Sequence, residues 1–549
     1  MRLSGQDLLP PGHDADPDKA LSLKQKLLRI TLFLLAFMAG VPILSAAAIL
    51  IALWFGPINP TPFLRPFFPL IIAGGEQIDI KSAQLAWLKA DLHRKAAIHL
   101  TVQDLQVRRA NGQLADTLKS GRLSMTAGPL LHGKLNLLNL SLDGAHITLL
   151  RHENGEITPD LEQSNLKHSD GDPVISLAIL RHLSIHQTDI VLRDLRLHAI
   201  FRLPIEADIS TASSKHHYGL TGYFKAESYI STGITTKTPY HLITSISGRG
   251  LQQEDGSVVW KIGTGETNPS HLQELFPELH DYDFPLSLET TLHLLPGKTP
   301  WLMLPTTANV QVSLGAGSLK AAGTTYFIDN GAGSFQLLAQ DHGHAPYPVT
   351  LAMDSFKIQL ASPPVTEQDN LQDTTLDTEK PELTKLNLNT QAHLLNKAIR
   401  NPSAIEGLFS ASIPEFEFSD LPSWWPATAG KGARKWVVKN IPSGHGKNLH
   451  IALYIAPRPD GRNSKVTAIT GGLDANDLEI WWLRPISPLH GVDAHLEISD
   501  MKQMKITFDH GYQDAYIGKK IVGRVQNGPG SMVITDLDKK DQTGKISVT

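Results

Sequence analysis

The segment Leu140-Ser-Leu-Asp-Gly-Ala-His-Ile-Thr-Leu149 decides the fold class, because its apolar residues recur at every second position and Asp143-Gly144 interrupts them once. Period two is the strand period, since successive side chains point to opposite faces of a sheet, and Asp-Gly is a favoured pair in tight hairpin turns. The spacing predicts two short strands, 140–142 and 147–149, meeting across that turn. The same pattern returns at Leu183, Ser184, Ile185, Ile190 and Leu192, each 43 positions on. Such an echo favours an extended sheet of stacked units over a closed core.

Outward from this segment the alternation persists. Ile98, Leu100 and Val102 alternate with His99 and Thr101, and Leu105 and Val107 resume out of phase, as a bulge at Gln103-Asp104 allows. Further strands are predicted at 190–195, 242–247, 258–262, 286–294, 308–313, 334–338, 350–352 and 356–360. Helices are predicted at 270–279, at 66–72 and in one later segment. Leu386, Leu388, Ala392 and Leu394 share one face of a period-two pattern, and Pro426 can open a helix that runs over 426–440 and stops near Pro442 and Gly444. The expected fold is mainly β: an elongated, curved, antiparallel sheet with a groove-like apolar face and few short helices.

One segment is unlike the rest. Residues 30–64 contain no ionisable side chain, and 30–55 read ITLFLLAFMAGVPILSAAAILIALWF. At about 1.5 Å per residue this is roughly 39 Å of helix against a hydrocarbon core of about 30 Å. A cleaved signal peptide does not need apolar residues to continue through Ile49, Leu50, Ile51, Leu53 and Trp54, so a retained span is expected over 24–56. Lys19, Lys24, Lys26 and Arg29 lie on the N-terminal side of the apolar run and only Arg65 follows closely, which leaves tail 1–23 in the cytoplasm and exports the remainder.

The chain has 549 residues, 41% hydrophobic and 19% charged, with a net charge of -4 and no cysteine. That length exceeds what one hydrophobic core serves. The charge balance gives no basic field for nucleic acid, and the lack of cysteine removes disulfides, thiolate nucleophiles and thiolate metal sites. Residues 362–380 carry Glu367, Asp369, Asp373, Asp377 and Glu379 with little apolar periodicity, as an acidic linker does. The expected divisions are 1–23 tail, 24–56 span, 57–361 first β domain, 362–380 linker and 381–549 second β region.

No nucleophile elbow, phosphate loop, zinc-protease helix, calcium loop or dinucleotide fingerprint occurs. Gly315-Ala-Gly317 reads as a turn and Ser443-Gly-His-Gly-Lys447 as a loop. His216-His217 and His342-x-His344 lack carboxylate partners at ligand spacing, and Asp281/Asp283 and Glu415/Glu417 fit a solvated face as well as paired acids. Trp424-Trp425, Trp436 and Trp481-Trp482 suit either core packing or a lipid or partner contact. No catalytic, cofactor-binding or metal-ligating residue is expected, and the chain is not read as an enzyme.

The order of features resembles the AsmA-like envelope proteins, most closely the YhdP branch, with TamB more distant. The resemblance rests on the basic N-terminus and span, Ile78-Asp-Ile80, Ala86-Trp87, Leu130-Leu131-His-Gly-Lys-Leu135 and Leu149-Leu-Arg151-His-Glu-Asn-Gly155. Its most specific part is Leu421-Pro-Ser-Trp-Trp425-Pro426 with Ala433-Arg434-Lys-Trp436 and Asn440-Ile-Pro-Ser-Gly444, which is similar to the YhdP central region. It implies an inner-membrane anchor and a periplasmic β groove that carries phospholipid toward the outer membrane, assisted by an outer-membrane or periplasmic protein partner. Members of that branch are much longer, so the resemblance implies an N-terminal portion or a truncated member. The alternative is a structural or regulatory envelope protein that influences outer-membrane protein assembly by β-pairing, with no lipid conduit.

Overall fold

A computed structural model of the chain describes residues 51–64, 77–88, 97–109, 111–126, 135–160, 175–176, 180–214, 217–232, 240–295, 304–339, 349–361, 386–396, 405–459, 463–535 and 543–548, apart from 54, 156, 427, 429 and 483. They form one 27-stranded sheet with few helices. The main ribbon starts at the edge strand Gln77–Leu88 and passes through Ala97–Arg108, Leu114–Thr126 and Leu135–Arg151, each antiparallel to the last. His182–Asp194 comes next, followed by Ala199–Ser214, His217–Thr232, His241–Gln252, Val258–Thr264 and Leu286–Leu295. Leu304–Leu314, Thr324–Ala339, Val349–Ala361, Leu386–Asn396, Ile405–Glu417 and Ser443–Pro457 continue the series. It ends with Ser464–Ile480, Leu489–Ile498, Gln503–Asp509, Gly530–Thr535 and Thr543–Val548. At about 4.8 Å per step these twenty-one strands have a contour of about 95 Å.

The opening segment behaves differently from its prediction. Leu135–Arg151 is one continuous strand, so Asp143-Gly144 is not a hairpin turn. Gly144 takes a positive φ of 62°, and Asp104 and Gln187 on other strands do the same at 50° and 45°. Gly144 lies in register with Gln187, and Lys119 of Leu114–Thr126 faces Gly144 and Asp104. The result is a crease across the first strands, at which the inward-facing set slips by one residue: Ile78 and Ile80 before it, Ala83, Leu85 and Trp87 after it. The bulge predicted at Gln103-Asp104 does not occur, because both ladders keep their register through this point; the phase change there comes from the crease at Asp104.

The 43-residue echo pairs with itself. Leu140 lies opposite Leu183, Ser141 opposite Ser184, Leu142 opposite Ile185, Ile147 opposite Ile190 and Leu149 opposite Leu192, in a parallel ladder. The expected all-antiparallel sheet is therefore mixed. A parallel step needs a crossover, here residues 152–181, which lets two like-patterned strands stack like on like. The two predicted strands at 350–352 and 356–360 are one bulged strand, Val349–Ala361.

Three other local readings change. The helix predicted over 270–279 is two short 3-10 turns, Pro269–Leu272 and Pro277–Asp281. The later helix is Lys431–Asn440, preceded by a single turn Leu421–Trp424, so Pro426 does not start it. Ser443 to Lys447 is the beginning of strand Ser443–Pro457 and not a loop. Gly315 and Ala316 do form the turn expected of them. The tail 1–23, nearly all of the span 24–56, the helix at 66–72 and the linker 362–380 lie outside the described residues. Among the described residues no helix is long and apolar enough to cross a membrane.

Candidate functional site

Directly opposed residues on neighbouring strands point to the same face of a sheet, so the register traces a row across the ribbon. Starting at Leu85, the row runs through Leu100, Leu123, Leu140 and Leu183 to Ile209. It continues through Gly222, Gly250, Trp260, Leu292 and Ala308 to Leu337. Leu351, Leu394, Gly407, Ile455 and Val466 complete it. Across seventeen successive strands no polar side chain interrupts the row, a contour of about 77 Å.

The row beside it on the same face is Ala83, Val102, Gly121, Leu142, Ile185 and Ala207, then Phe224, Gly248, Ile262, Thr290, Val310 and Phe335. On the opposite face the intervening row reads Gln84, Thr101, Arg122, Ser141, Ser184 and Asp208, then Tyr223, Arg249, Lys261, Thr291, Asn309 and Gln336. The first twelve strands thus have one apolar and one hydrophilic face. Beyond them the outer row becomes mixed, with Leu408 and Tyr454 exposed on it.

The floor of the apolar face is shaped by rings lying over glycines. Phe224 faces Gly248, Trp260 faces Gly250, Phe356 faces Gly333, Phe416 faces Gly446 and Phe508 faces Gly530. A Cβ on any of these glycines would run into the ring opposite. Trp260 is only 7% exposed and its Nε1-H donates to the Leu220 carbonyl at 2.9 Å, two strands away. Phe224 packs against it at 5.8 Å between ring centroids.

Two apolar clusters close over parts of this face. At one end Leu53, from the last turn of the apolar N-terminal segment, packs with Ile98, Met125, Leu137 and Leu180 and is 3% exposed. At the other end the Leu421–Trp424 turn and the Lys431–Asn440 helix set Leu421, Trp424, Trp425, Val437 and Val438 against Leu386, Ile413, Phe416 and Phe418. Arg434 fastens this lid by donating to the carbonyls of Trp425 and Pro422 at 2.9 and 3.0 Å. Between the clusters, from Ala199–Ser214 to Leu304–Leu314, the apolar face is unevenly covered: Ala207, Val258, Trp260, Val310 and Val312 are buried, while Ile209 and Leu292 on the row are half-buried. Leu337, further along the row, is also half-buried, whereas Leu183 packs against the Leu53 cluster.

Polar chemistry lies on the opposite face and, beyond the crease, on the inward side as well, where Asp116 opposes Val107 and Asp194 shares a face with Ile190 and Leu192. Asp160 accepts from Arg109 at 2.7 Å and Arg193 at 2.8 Å, while Asp194 is bonded by Arg151 at 3.0 Å and caps the turn through the amides of Arg196 and Leu197. Burial raises the Asp116 carboxyl above the ordinary aspartate range, opposed by a hydrogen bond from the Thr148 amide at 2.6 Å. Burial, with Arg122 nearby, lowers the His99 imidazole, which lies 2.7 Å from the Ser124 hydroxyl. Hydrogen bonds from Asn448 and His495 lower Asp474.

No known protein family, curated protein or solved structure matches the chain.

The sequence-flagged residues do not converge. Asp281 ends a 3-10 turn, while Asp283 accepts from Asn268 and Ser270, which lower its carboxyl, so it fastens a loop. Glu417 pairs with His445 at 2.7 Å. His217 begins a strand, and His216, His342 and His344 lie outside the described residues. No group of three or more metal-capable side chains occurs among the described residues. The tryptophans divide: Trp424 and Trp425 join the lid, while Trp436 and Trp482 are exposed. The seventeen-residue row was not readable beforehand, because it exists only once the register is known.

Proposed function

We propose that this chain is a single-pass, inner-membrane-anchored periplasmic protein, N-terminus cytoplasmic, whose sheet forms a curved groove that takes part in phospholipid transport and outer-membrane maintenance. The row from Leu85 to Val466 is the observation that carries this reading. A ligand that lies along it need be apolar and extended but not chemically distinctive, which describes acyl chains. Each CH₂ withdrawn from water contributes about 0.8 kcal/mol, and the absence of polar side chains along the row gives no fixed stopping point. One lipid leaflet is about 15 Å of hydrocarbon, so the row has room for several lipids in file. The burial of Leu53 at one end supports the anchored arrangement, since it joins the apolar segment to the start of the row.

The test is site-specific photo-crosslinking in cells, with a crosslinking side chain at Leu292 or Leu337 on the apolar row and at Thr291 or Gln336 on the opposite row. Phospholipid adducts at the first pair and not at the second are expected. Lipid adducts at neither pair, or equally at both, would sink the proposal, and protein adducts at the first pair would favour a β-pairing role.

A further inference from the structure

We infer that the Lys431–Asn440 helix and the adjoining loop at Trp482 form a docking patch for the surface of an anionic lipid bilayer, separate from any acyl chains held on the sheet. The helix KGARKWVVKN contains no acidic residue. Val437 and Val438 face the lid cluster, while Gly432, Lys435, Trp436 and Lys439 are exposed, at the three-and-four spacing of one helical stripe. The loop is tied to the last helical turn, because the Trp481 amide donates to the Asn440 carbonyl at 2.7 Å and Arg484 donates to the Lys439 carbonyl at 3.4 Å.

This connection places a loop that carries a second exposed aromatic at the end of the helix that carries the first. Trp436 is 48% and Trp482 49% exposed, with Ile486 exposed on the same loop. A solvated helix face explains lysines but not two large indoles left in water next to core-forming Trp424 and Trp425. Indole beside Lys and Arg is the chemistry of the bilayer interface, where the ring sits at headgroup depth and the cations meet anionic lipid. Glu479 is occupied by the Trp481 indole at 2.7 Å, and among the described residues Lys435 and Lys439 have no carboxylate partner. The patch is therefore net positive and apolar, and its complement is a negatively charged membrane surface.

The chain has no cysteine, so Ala433→Cys, on an exposed helical position, gives a single labelling site. The full chain, held in phosphatidylcholine nanodiscs and labelled there with an environment-sensitive fluorophore, is titrated with vesicles of phosphatidylcholine alone or mixed in equal parts with phosphatidylglycerol. The expected result is a blue shift, quenched by brominated acyl chains, with the anionic vesicles only. Lys435→Gln with Lys439→Gln should weaken vesicle binding about thirtyfold, at the usual contribution of a cation near an anionic surface. Lys435→Arg with Lys439→Arg should preserve it, and Trp436→Ala with Trp482→Ala should abolish the shift. No shift with either vesicle, an equal shift with both, or a loss below tenfold in the glutamine variant with unchanged circular dichroism would overturn the inference. Because the label reads the outer surface of the lid, failure here leaves the crosslinking result on the apolar row unaffected.

Discussion

Gly250→Ala is the smallest change that tests how the apolar face is built. The added Cβ would enter the Trp260 ring, which lies across Gly250 and is fixed by its hydrogen bond to the Leu220 carbonyl. Gly250 has no left-handed φ, so the methyl costs nothing through backbone conformation; the whole effect passes through the ring. Shifting the indole loses a hydrogen bond of about 1 kcal/mol and overpacks a tight site at about 1–3 kcal/mol, for a total near 2–4 kcal/mol. In a sheet this long global unfolding is a poor readout, and local opening is the better one. Amide hydrogen exchange in peptides covering His241–Gln252 and Val258–Thr264 should accelerate by one to three orders of magnitude. The control is Trp260→Ala, in which Gly250→Ala should become nearly neutral, a coupling of about 2–3 kcal/mol, at the upper end for groups in contact. Additive effects of the two substitutions, or acceleration spread equally over the distant Ser464–Ile480 strand, would refute the ring-over-glycine account.

Three more outcomes follow from named contacts. Asp160→Asn removes the carboxylate shared by Arg109 and Arg193 and should cost about 2–3 kcal/mol, discounted for the partial exposure of both guanidinium groups, read as faster exchange in peptides at 157–160 and 193–198. His99 has its pKa lowered in the folded state, so the stability it contributes is full above the unfolded value of 6.5 and is lost as pH falls from there toward the lower folded value. His99→Gln should therefore lose less stability than the parent between neutral and mildly acidic buffer, measured by denaturant midpoint, and an equal loss would contradict the assignment. Leu337→Glu places a charge on the half-buried row and should lower the phospholipid that co-purifies with the chain, assayed as lipid phosphate, whereas Gln336→Glu on the opposite face should leave it unchanged.

Periodicity made the sheet legible and left its register hidden. Leu386, Leu388, Ala392 and Leu394 share one face as their spacing predicts, since Leu386–Asn396 is unbulged. At Asp143-Gly144 the same logic misled, because a left-handed glycine serves a crease in a continuous strand as well as it serves a turn. The 43-residue echo was visible, but its parallel self-pairing depends on a crossover that one-dimensional spacing does not encode. Glycines opposite rings, such as Gly250 and Gly446, carry no mark in sequence until a neighbouring strand supplies the ring. The exposed Trp436 and the buried Trp424 are likewise indistinguishable by type, and only the lid's packing separates them.

The central claim is that the row from Leu85 to Val466 is an open apolar surface occupied by acyl chains. An experimental density map of the full chain in phospholipid nanodiscs tests it most directly. The account predicts elongated non-protein density lying along Ile209, Leu292 and Leu337, with none on the opposite face at Asp208, Thr291 and Gln336. Protein side chains packed over that stretch of the row, leaving no space for lipid, would contradict it.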